Sequence, residues 1–313
     1  MITLQKDSSN QCDDARLPVS VIIVNYNAGS FLTACVSAIA GEVEEIVIVD
    51  NASTDASITT LASRFPAQSR IKLIQNTANL GFAAACNIGF RASTAPYILF
   101  LNPDCEPQKQ SLQRMLSVLE SDSGFGMVGG QLINPDGTEQ GGARRDIPTP
   151  WRAFVRASGL YRLEKFWPKL FPDFHLHKKP LPDKLVEVEA TSGAVMLVRR
   201  EALEAVDGWD EGYFLHCEDL DLCMRFRQKG WKILFVPDVQ VLHYKGVCSQ
   251  PRPIFVAWHK HRGMMLFYRK FFHDQYPRVL MWLIFGGVWM RFAAVVTFHS
   301  ISYLGSLARL RRG

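Results

Sequence analysis

Paired cysteines are missing. The chain has seven cysteines and no Cys-x-x-Cys pair, so no disulfide framework or thioredoxin-like motif organises it, and a reduced, cytosolic setting is expected. His216, Cys217, Cys223, His243 and Cys248 follow no common structural zinc spacing. Met1–Leu17 is polar and acidic, and no signal peptide is expected there. A Rossmann dinucleotide domain needs Gly-x-Gly-x-x-Gly after its first strand, and that position holds Asn25-Tyr-Asn-Ala-Gly29 instead. Gly124-Phe-Gly-Met-Val-Gly129 has the spacing, but it precedes a strand expected over Met127–Ile133 and opens no helix. No Ser/His/Asp or Cys/His set stands out for covalent catalysis. Acidic residues are scarce at one end: 222–313 carries 15 Lys and Arg against 2 Asp and Glu, whereas 1–140 carries 8 against 14. A basic, aromatic-rich end suits an anionic membrane surface or a nucleic acid.

What is present is ample apolar material. At 313 residues and 48% hydrophobic content the chain can bury a large core in one domain or two. Apolar runs at Val19–Val24, Glu45–Val49, Ile71–Gln75 and Tyr97–Leu101 read as strands. Helical spacing over Phe31–Ile39, Ser57–Phe65 and Phe82–Ala92 separates them. This alternation predicts an α/β fold, with a mostly parallel central sheet flanked by helices.

Three of the four strands end in Asn/Asp-rich loops: Asn25–Asn27, Asp50–Asp55 and Asn102–Asp104. One such loop is ordinary turn chemistry. Three at one carboxyl edge point to a nucleotide site, because ligands of open α/β sheets bind there. Pro103 cannot donate to a ladder and ends its strand, leaving Asn102 and Asp104 at the edge, where a carboxylate can grip a divalent metal or the groups around a diphosphate.

Residues 141–186 interleave Trp151, Phe154, Tyr161, Phe166, Trp167, Phe171 and Phe174 with Arg and Lys. That stretch reads as a surface insertion or as an amphipathic segment facing an acceptor or lipid. Strand pattern returns over Glu187–Arg199, around Thr191-Ser-Gly193. An aromatic lead-in from Gly208 then opens a helix at Glu218-Asp-Leu-Asp221. Carboxylates there complement the helix dipole, though the aromatic, His-containing lead-in is more than a cap needs. Trp231–Pro237 and Val239–Tyr244 read as two strands. Near the C-terminus, Val279–Met290 and Phe292–Ala308 are apolar runs separated by Arg291 and flanked by Arg269, Lys270, Arg278, Arg309, Arg311 and Arg312. Two helices lying in a membrane interface are expected, since one span would set Arg291 near mid-bilayer.

Val19–Asn27, Val49–Asp55, Asn79-Leu-Gly-Phe-Ala-Ala-Ala-Cys-Asn87, Asn102-Pro-Asp104 and Glu218–Asp221 together resemble the inverting family 2 glycosyltransferases, closest to their bacterial rhamnosyltransferase-like branch. The resemblance spans roughly Val19–Gly246. It implies a GT-A fold over 18–250, with a nucleotide-binding part (18–140), an acceptor-side part (141–250, with the insertion 141–186), a polar tail before it (1–17) and a helical, basic, membrane-associated segment after it (251–313). By that likeness Asn25, Tyr26, Asn27, Asp50 and Asn51 would hold a pyrimidine nucleotide sugar, with Asn79, Gly81, Asn87, Asn102, Ser192, Gly193 and Glu218 as further substrate-binding residues. Asp104 and His243 would hold Mg²⁺ or Mn²⁺. Asn102 replaces the first Asp of the family's Asp-x-Asp, which removes one charge from that metal site. Asp219 would be the general base. The implied function is transfer of a hexose, L-rhamnose from dTDP-rhamnose, to a lipid-linked or polysaccharide acceptor in cell-envelope polysaccharide assembly. It would take place on the cytoplasmic face of a bacterial plasma membrane, with no nucleic-acid partner. A UDP-hexose transferase and an inactive sugar-binding relative are the alternatives.

Overall fold

The computed structural model describes residues 16–66, 70–174, 176–246 and 252–310, the last of these by backbone alone from 303 on. Most of the polar tail, Cys248, Arg311, Arg312 and the Arg309 side chain therefore lie outside the described residues. In chain order the elements are β1 (Leu17–Asn25), α1 (Ser30–Ile39), β2 (Val43–Asp50), α2 (Ser57–Arg64), β3 (Ile71–Gln75), α3 (Phe82–Ala92), β4 (Tyr97–Leu101) and β5 (Cys105–Pro107). There follow α4 (Ser111–Glu120), β6 (Phe125–Ile133), β7 (Arg144–Arg145), α5 (Pro150–Ala157), β8 (Val186–Glu187), β9 (Ala190–Thr191), β10 (Val195–Arg199) and α6 (Arg200–Glu204). The chain closes with α7 (Glu218–Gln228), β11 (Lys232–His243), α8 (Pro253–Phe272) and α9 (Arg278–Leu310).

The main sheet runs β3-β2-β1-β4-β10-β6-β11-β5, with β8 beside β11. Its first four strands are parallel. The β-branched runs of β1 and β2 are buried along nearly their whole length, as strands covered on both faces should be. Antiparallel β10 then enters between β4 and β6, and β11 pairs parallel with β6. The α/β expectation holds, parallel in the nucleotide-side half and mixed beyond it. Where two strands were expected after Trp231, a single β11 runs through, its pairing with β6 shifting between Val236 and Gln240. That slip absorbs Pro237, which has no ladder donor. The Gly124–Gly129 stretch lies mostly within β6. A Cβ at Gly129 would meet Thr191 Oγ1 at 1.9 Å, so close strand packing accounts for that glycine.

Small residues set the spacing of α3. A Cβ at Gly89 would come within 2.5 Å of Ile22, and only a bare backbone lets the helix press onto β1. Trp209 fills the next layer, edge-on to Phe82 (5.5 Å) and Phe100 (4.9 Å). The insertion is pinned on its inner side: Arg144 donates to Glu139 (2.8 Å) and to the Lys179 carbonyl (2.7 Å), and Arg156 to Asp173 (2.7 Å). Its outer side leaves Phe166, Trp167 and Leu170 exposed.

The C-terminal expectation needs correction. Val279–Met290 and Phe292–Ala308 form one continuous helix, α9, with Arg291 inside it. No proline or glycine pair interrupts the chain at that point, and the run satisfies its own backbone bonds throughout. Met281, Ile284 and Val288 bury one face of α9, which packs on α8. Val279, Trp282, Leu283, Met290 and Ile301 leave the opposite face exposed and apolar, and Phe298 is exposed further along the helix. Among the described residues this is the one helix long and apolar enough to cross a membrane.

Candidate active site

Asn25 and Asp50 end neighbouring strands as register partners, and Ile22 opposite Phe100 brings the end of β4 to the same edge. The buried Asn25 amide donates to Asp50 Oδ1 (2.8 Å), Ser53 Oγ (3.0 Å) and Ser57 Oγ (2.9 Å), which locks β1 to the loop after β2. Asp50 also accepts from the Ser53 amide (3.1 Å) and hydroxyl (2.5 Å). Asn27 has φ 53° and its side chain accepts from the Thr54 amide (2.7 Å). Tyr26 is half-buried beside it. Asn51 donates to the Gly81 carbonyl (3.1 Å) and accepts from Asn76 (2.8 Å). Asn79 accepts from the Gly81 amide (3.0 Å). Gly81 has φ 90°, and a Cβ there would collide with the Phe214 carbonyl at 2.7 Å, so glycine is needed for both conformation and space.

Asn87 is placed differently from these. Its amide donates to the Trp209 carbonyl (2.8 Å) and Glu211 (2.9 Å) and accepts from the Trp209 amide (2.9 Å). All of its capacity goes into bracing the turn that carries Trp209.

At the end of β4 the Asn102 amide donates to the Ala194 carbonyl (2.9 Å). Cys105 pairs with His243 between β5 and β11, which brings Asp104 Oδ1 to 3.3 Å from His243 Nε2. Gln140, which the sequence did not single out, orients that histidine. Its Nε2 donates to Asn134 Oδ1 (2.8 Å), so its Oε1, 2.6 Å from His243 Nδ1, acts as acceptor. Nδ1 is then the donor to Gln140, and Nε2 is the ring nitrogen turned to the carboxylate. An oxygen and a nitrogen ligand, with the ring oriented from behind, fit a divalent cation. Cys105 lies near enough to complete a three-ligand cluster. Burial and Asp104 hold its thiol far above the usual range, and its sulfur points at the Ala194 carbonyl (3.5 Å). The pair suits Mg²⁺ or Mn²⁺ better than a thiolate metal.

Opposite this edge, α7 starts after two consecutive left-handed residues, His216 (φ 68°) and Cys217 (φ 72°). That turn presents Asp219. Arg145 Nη2, from β7, is ion-paired with Asp219 Oδ2, and the Gly193 amide points at the same oxygen (3.4 Å). Ser192 turns away to accept from the Ala194 amide (3.2 Å). Arg145 is held above its ordinary value: burial works against its charge, but Asp219 outweighs it. Burial, and then the Asp219 charge, push Glu218 up to about 8, which favours its neutral form. Burial and Lys260 push His216 down to about 4, making it a neutral ring. Asp221 is fully enclosed by Arg225 (2.5 Å) and Lys270 (2.7 Å) and is purely structural. Neither Arg145 nor Gln140 lies in a motif; only the topology brings them to the site.

Comparison with known proteins gives a consistent picture. The family model described as "Glycosyl transferase family 2" matches residues 20–206, and "Glycosyl transferase family group 2" matches 175–310. The chain is 27% identical over 285 residues to N-acetylglucosaminyl-diphospho-decaprenol L-rhamnosyltransferase of Mycobacterium tuberculosis, covering 87% of this chain and 90% of that one. It is 28% identical over 167 residues to the Escherichia coli rhamnosyltransferase WbbL, covering 50% of this chain and 54% of the relative. Among solved structures, the Pyrobaculum calidifontis mannosyltransferase PcManGT in complex with GDP-Man and Mn²⁺ superposes with TM-score 0.54 at 17% identity, over 96% of this chain and 82% of that one. GalNAc-T7 with UDP, GalNAc and Mn²⁺ gives 0.55 at 19%, over 74% of this chain and 44% of that one. The architecture is therefore of the GT-A type.

Proposed function

The chain belongs to glycosyl transferase family 2, and on that premise we propose that it is an inverting hexosyltransferase that moves L-rhamnose from dTDP-L-rhamnose to a polyprenyl-diphosphate-linked sugar during cell-envelope polysaccharide assembly. The observation that carries this reading is the presence of two carboxylates in distinct settings: Asp104 beside the Gln140-oriented His243, and Asp219 ion-paired with Arg145. The rhamnosyl and lipid-linked parts rest on the named activities of the M. tuberculosis and E. coli relatives.

In this scheme the Asn25–Asn27 backbone and the Asp50–Asn51 loop receive the pyrimidine nucleoside, with Asn102 towards the ribose. Asp219 accepts the proton of the attacking acceptor hydroxyl. The new C–O bond forms at the sugar's anomeric carbon as the bond to the nucleotide diphosphate breaks on the opposite face, and configuration inverts. Arg145 holds Asp219 in place until the acceptor hydroxyl reaches it. A divalent cation held by Asp104 and His243 would supply positive charge for the departing diphosphate. The exposed apolar face of α9, with Phe166, Trp167 and Leu170 of the insertion, supports attachment to the cytoplasmic face of a bacterial plasma membrane.

The deciding experiment incubates the full-length protein with a panel of pyrimidine and purine sugar nucleotides and a polyprenyl-diphosphate-linked sugar. Product mass and anomeric configuration are read out. A single inverted rhamnosyl product is expected. A product from a UDP-hexose alone would move the reading to that donor, and a preference for a purine sugar nucleotide would overturn the pyrimidine assignment.

A further inference from the structure

Three cations have no carboxylate partner among the described residues: Lys245 and Lys260, whose charges reach His216 three residues before Asp219, and Arg291, whose charge reaches Lys260. All three reach solvent. Lys245 lies two residues beyond His243, at the metal-side edge. Lys260 and Arg291 belong to α8 and α9, and the packing of that hairpin brings them together. Trp258 lies 5.5 Å from Trp289 and 5.7 Å from Phe292, and His261 lies 5.4 Å from Phe292, ring centre to ring centre. Arg291 follows Met281, Ile284 and Val288 at helical spacing, so it continues the face packed on α8, away from the exposed apolar stripe.

The same part of α8 is pressed onto the turn that presents Asp219. A Cβ at Gly263 would meet the His216 carbonyl at 2.6 Å, and Cys217 Sγ lies 3.9 Å from the Lys260 carbonyl. Among the described residues nothing there is ion-paired with the lysine. Asp219 is occupied by Arg145, and burial favours the neutral forms of Glu218 and the Cys217 thiol. Desolvation, followed by the Arg291 charge, lowers the Lys260 ammonium, and the fields of Lys245 and Arg145 add to it. A concentration of unpaired positive charge in a partly desolvated corner is a site for an anion.

We propose that Lys260 and Arg291, with Lys245 at the rim, bind the diphosphate of the lipid-linked acceptor. The α8–α9 hairpin then presents the acceptor's sugar to Asp219 from the lipid side. The shared chemistry is a diphosphate, which the donor nucleotide also carries. The acceptor is favoured because Lys260 and Arg291 sit on the hairpin with the exposed apolar stripe, whereas the donor side is marked by Asp104 and His243. This assignment rests on the transferase reading above.

Binding of farnesyl diphosphate, farnesol and dTDP to the full-length protein in detergent micelles tests it. The variants are Lys260→Met/Arg291→Met and, as a control for charge alone, Arg278→Met. The double variant should lose at least tenfold in farnesyl diphosphate affinity and keep its dTDP affinity, while the control matches wild type. Lys260→Arg should retain binding, which covers the case of a double variant that does not fold. Equal binding of farnesol and farnesyl diphosphate by wild type, or an unchanged double variant, overturns the site. Loss of dTDP binding in place of farnesyl diphosphate binding would assign the cations to the donor. Selective loss of farnesyl diphosphate in a protein that transfers no sugar would leave the site standing and remove the transferase reading.

Discussion

Oδ1 of Asp104 lies 3.3 Å from Nε2 of His243, with Gln140 2.6 Å behind on the other ring nitrogen. Gln140 holds Nδ1 and so aims Nε2 at the carboxylate, and metal affinity should depend on this residue although it would not touch the ion. Gln140→Leu should weaken Mn²⁺ about 10–100-fold. Excess chelator should suppress transfer, and added Mn²⁺ should restore it. Mn²⁺ titration followed by electron paramagnetic resonance checks both. Full activity in chelator would remove the metal and leave basic side chains to stabilise the leaving diphosphate.

Asp219 and Arg145 separate by their kinetics. Asp219→Asn should lower kcat by about 10²–10⁴-fold and leave dTDP-rhamnose affinity within a few-fold. Arg145→Met frees the carboxylate and should cost less in kcat, with its effect on acceptor KM. An Asp219→Asn enzyme with near-normal turnover and a lower Tm would reduce Asp219 to a helix cap.

The parallel half of the sheet and its carboxyl edge were legible because buried strands announce themselves as unbroken Val/Ile runs, and Asn25, Asp50 and Asp104 each follow one directly. The Asp104–His243 pair was reachable only through the family likeness, since the β5–β11 pairing that creates it is long-range. Arg145 and Gln140 had no local signal. Arg145 lies at the start of the 141–186 insertion, ahead of its aromatic residues, and Gln140 just before it. The break expected at Arg291 failed for a related reason: a charged residue interrupts an apolar run in sequence, but a helix continues through it when its long side chain reaches solvent.

Asn87 should matter for stability and little for donor binding. Its three bonds to Trp209 and Glu211 are part-buried or buried. Asn87→Ala should therefore destabilise by about 1–3 kcal/mol while dTDP affinity stays within a few-fold. Urea unfolding and nucleotide titration on the same preparation check this. Lost affinity at full stability would return Asn87 to the substrate-binding set.

Glu218 makes a prediction in pH. Its carboxyl rises from 4.5 to about 8 on folding, so the folded state holds a proton that the unfolded chain releases. The fold gains fully from that proton below pH 4.5, progressively less as pH rises towards 8, and nothing further changes above it. Glu218→Gln should flatten this decline, with little change at low pH. Denaturation midpoints across pH 4.5–8 test the sign. A wild-type midpoint that rises over that window faster than the variant's would contradict it.

α9 has two faces with different duties, and substitutions can separate them. Thirty-three residues of helix reach about 50 Å at 1.5 Å per residue, more than the roughly 30 Å of hydrocarbon a span needs. Length alone therefore permits crossing. Packing argues for lying in the interface, because Met281, Ile284 and Val288 are buried at the α8 contact and Arg291 follows on that face. A crossing would carry α8, with Lys260, Arg262, Arg269 and Lys270, into the bilayer beside it, at a cost of several kcal/mol for the charges. Trp282→Gln, Leu283→Gln and Met290→Gln on the exposed face should release the full chain from anionic vesicles and leave Tm within a few degrees. Met281→Gln, on the packed face, should instead lower Tm and leave vesicle binding largely intact. Salt should weaken wild-type binding only in part, since the apolar contribution survives screening of the basic residues. If the triple variant stays on vesicles as wild type does, the exposed stripe is not the membrane contact.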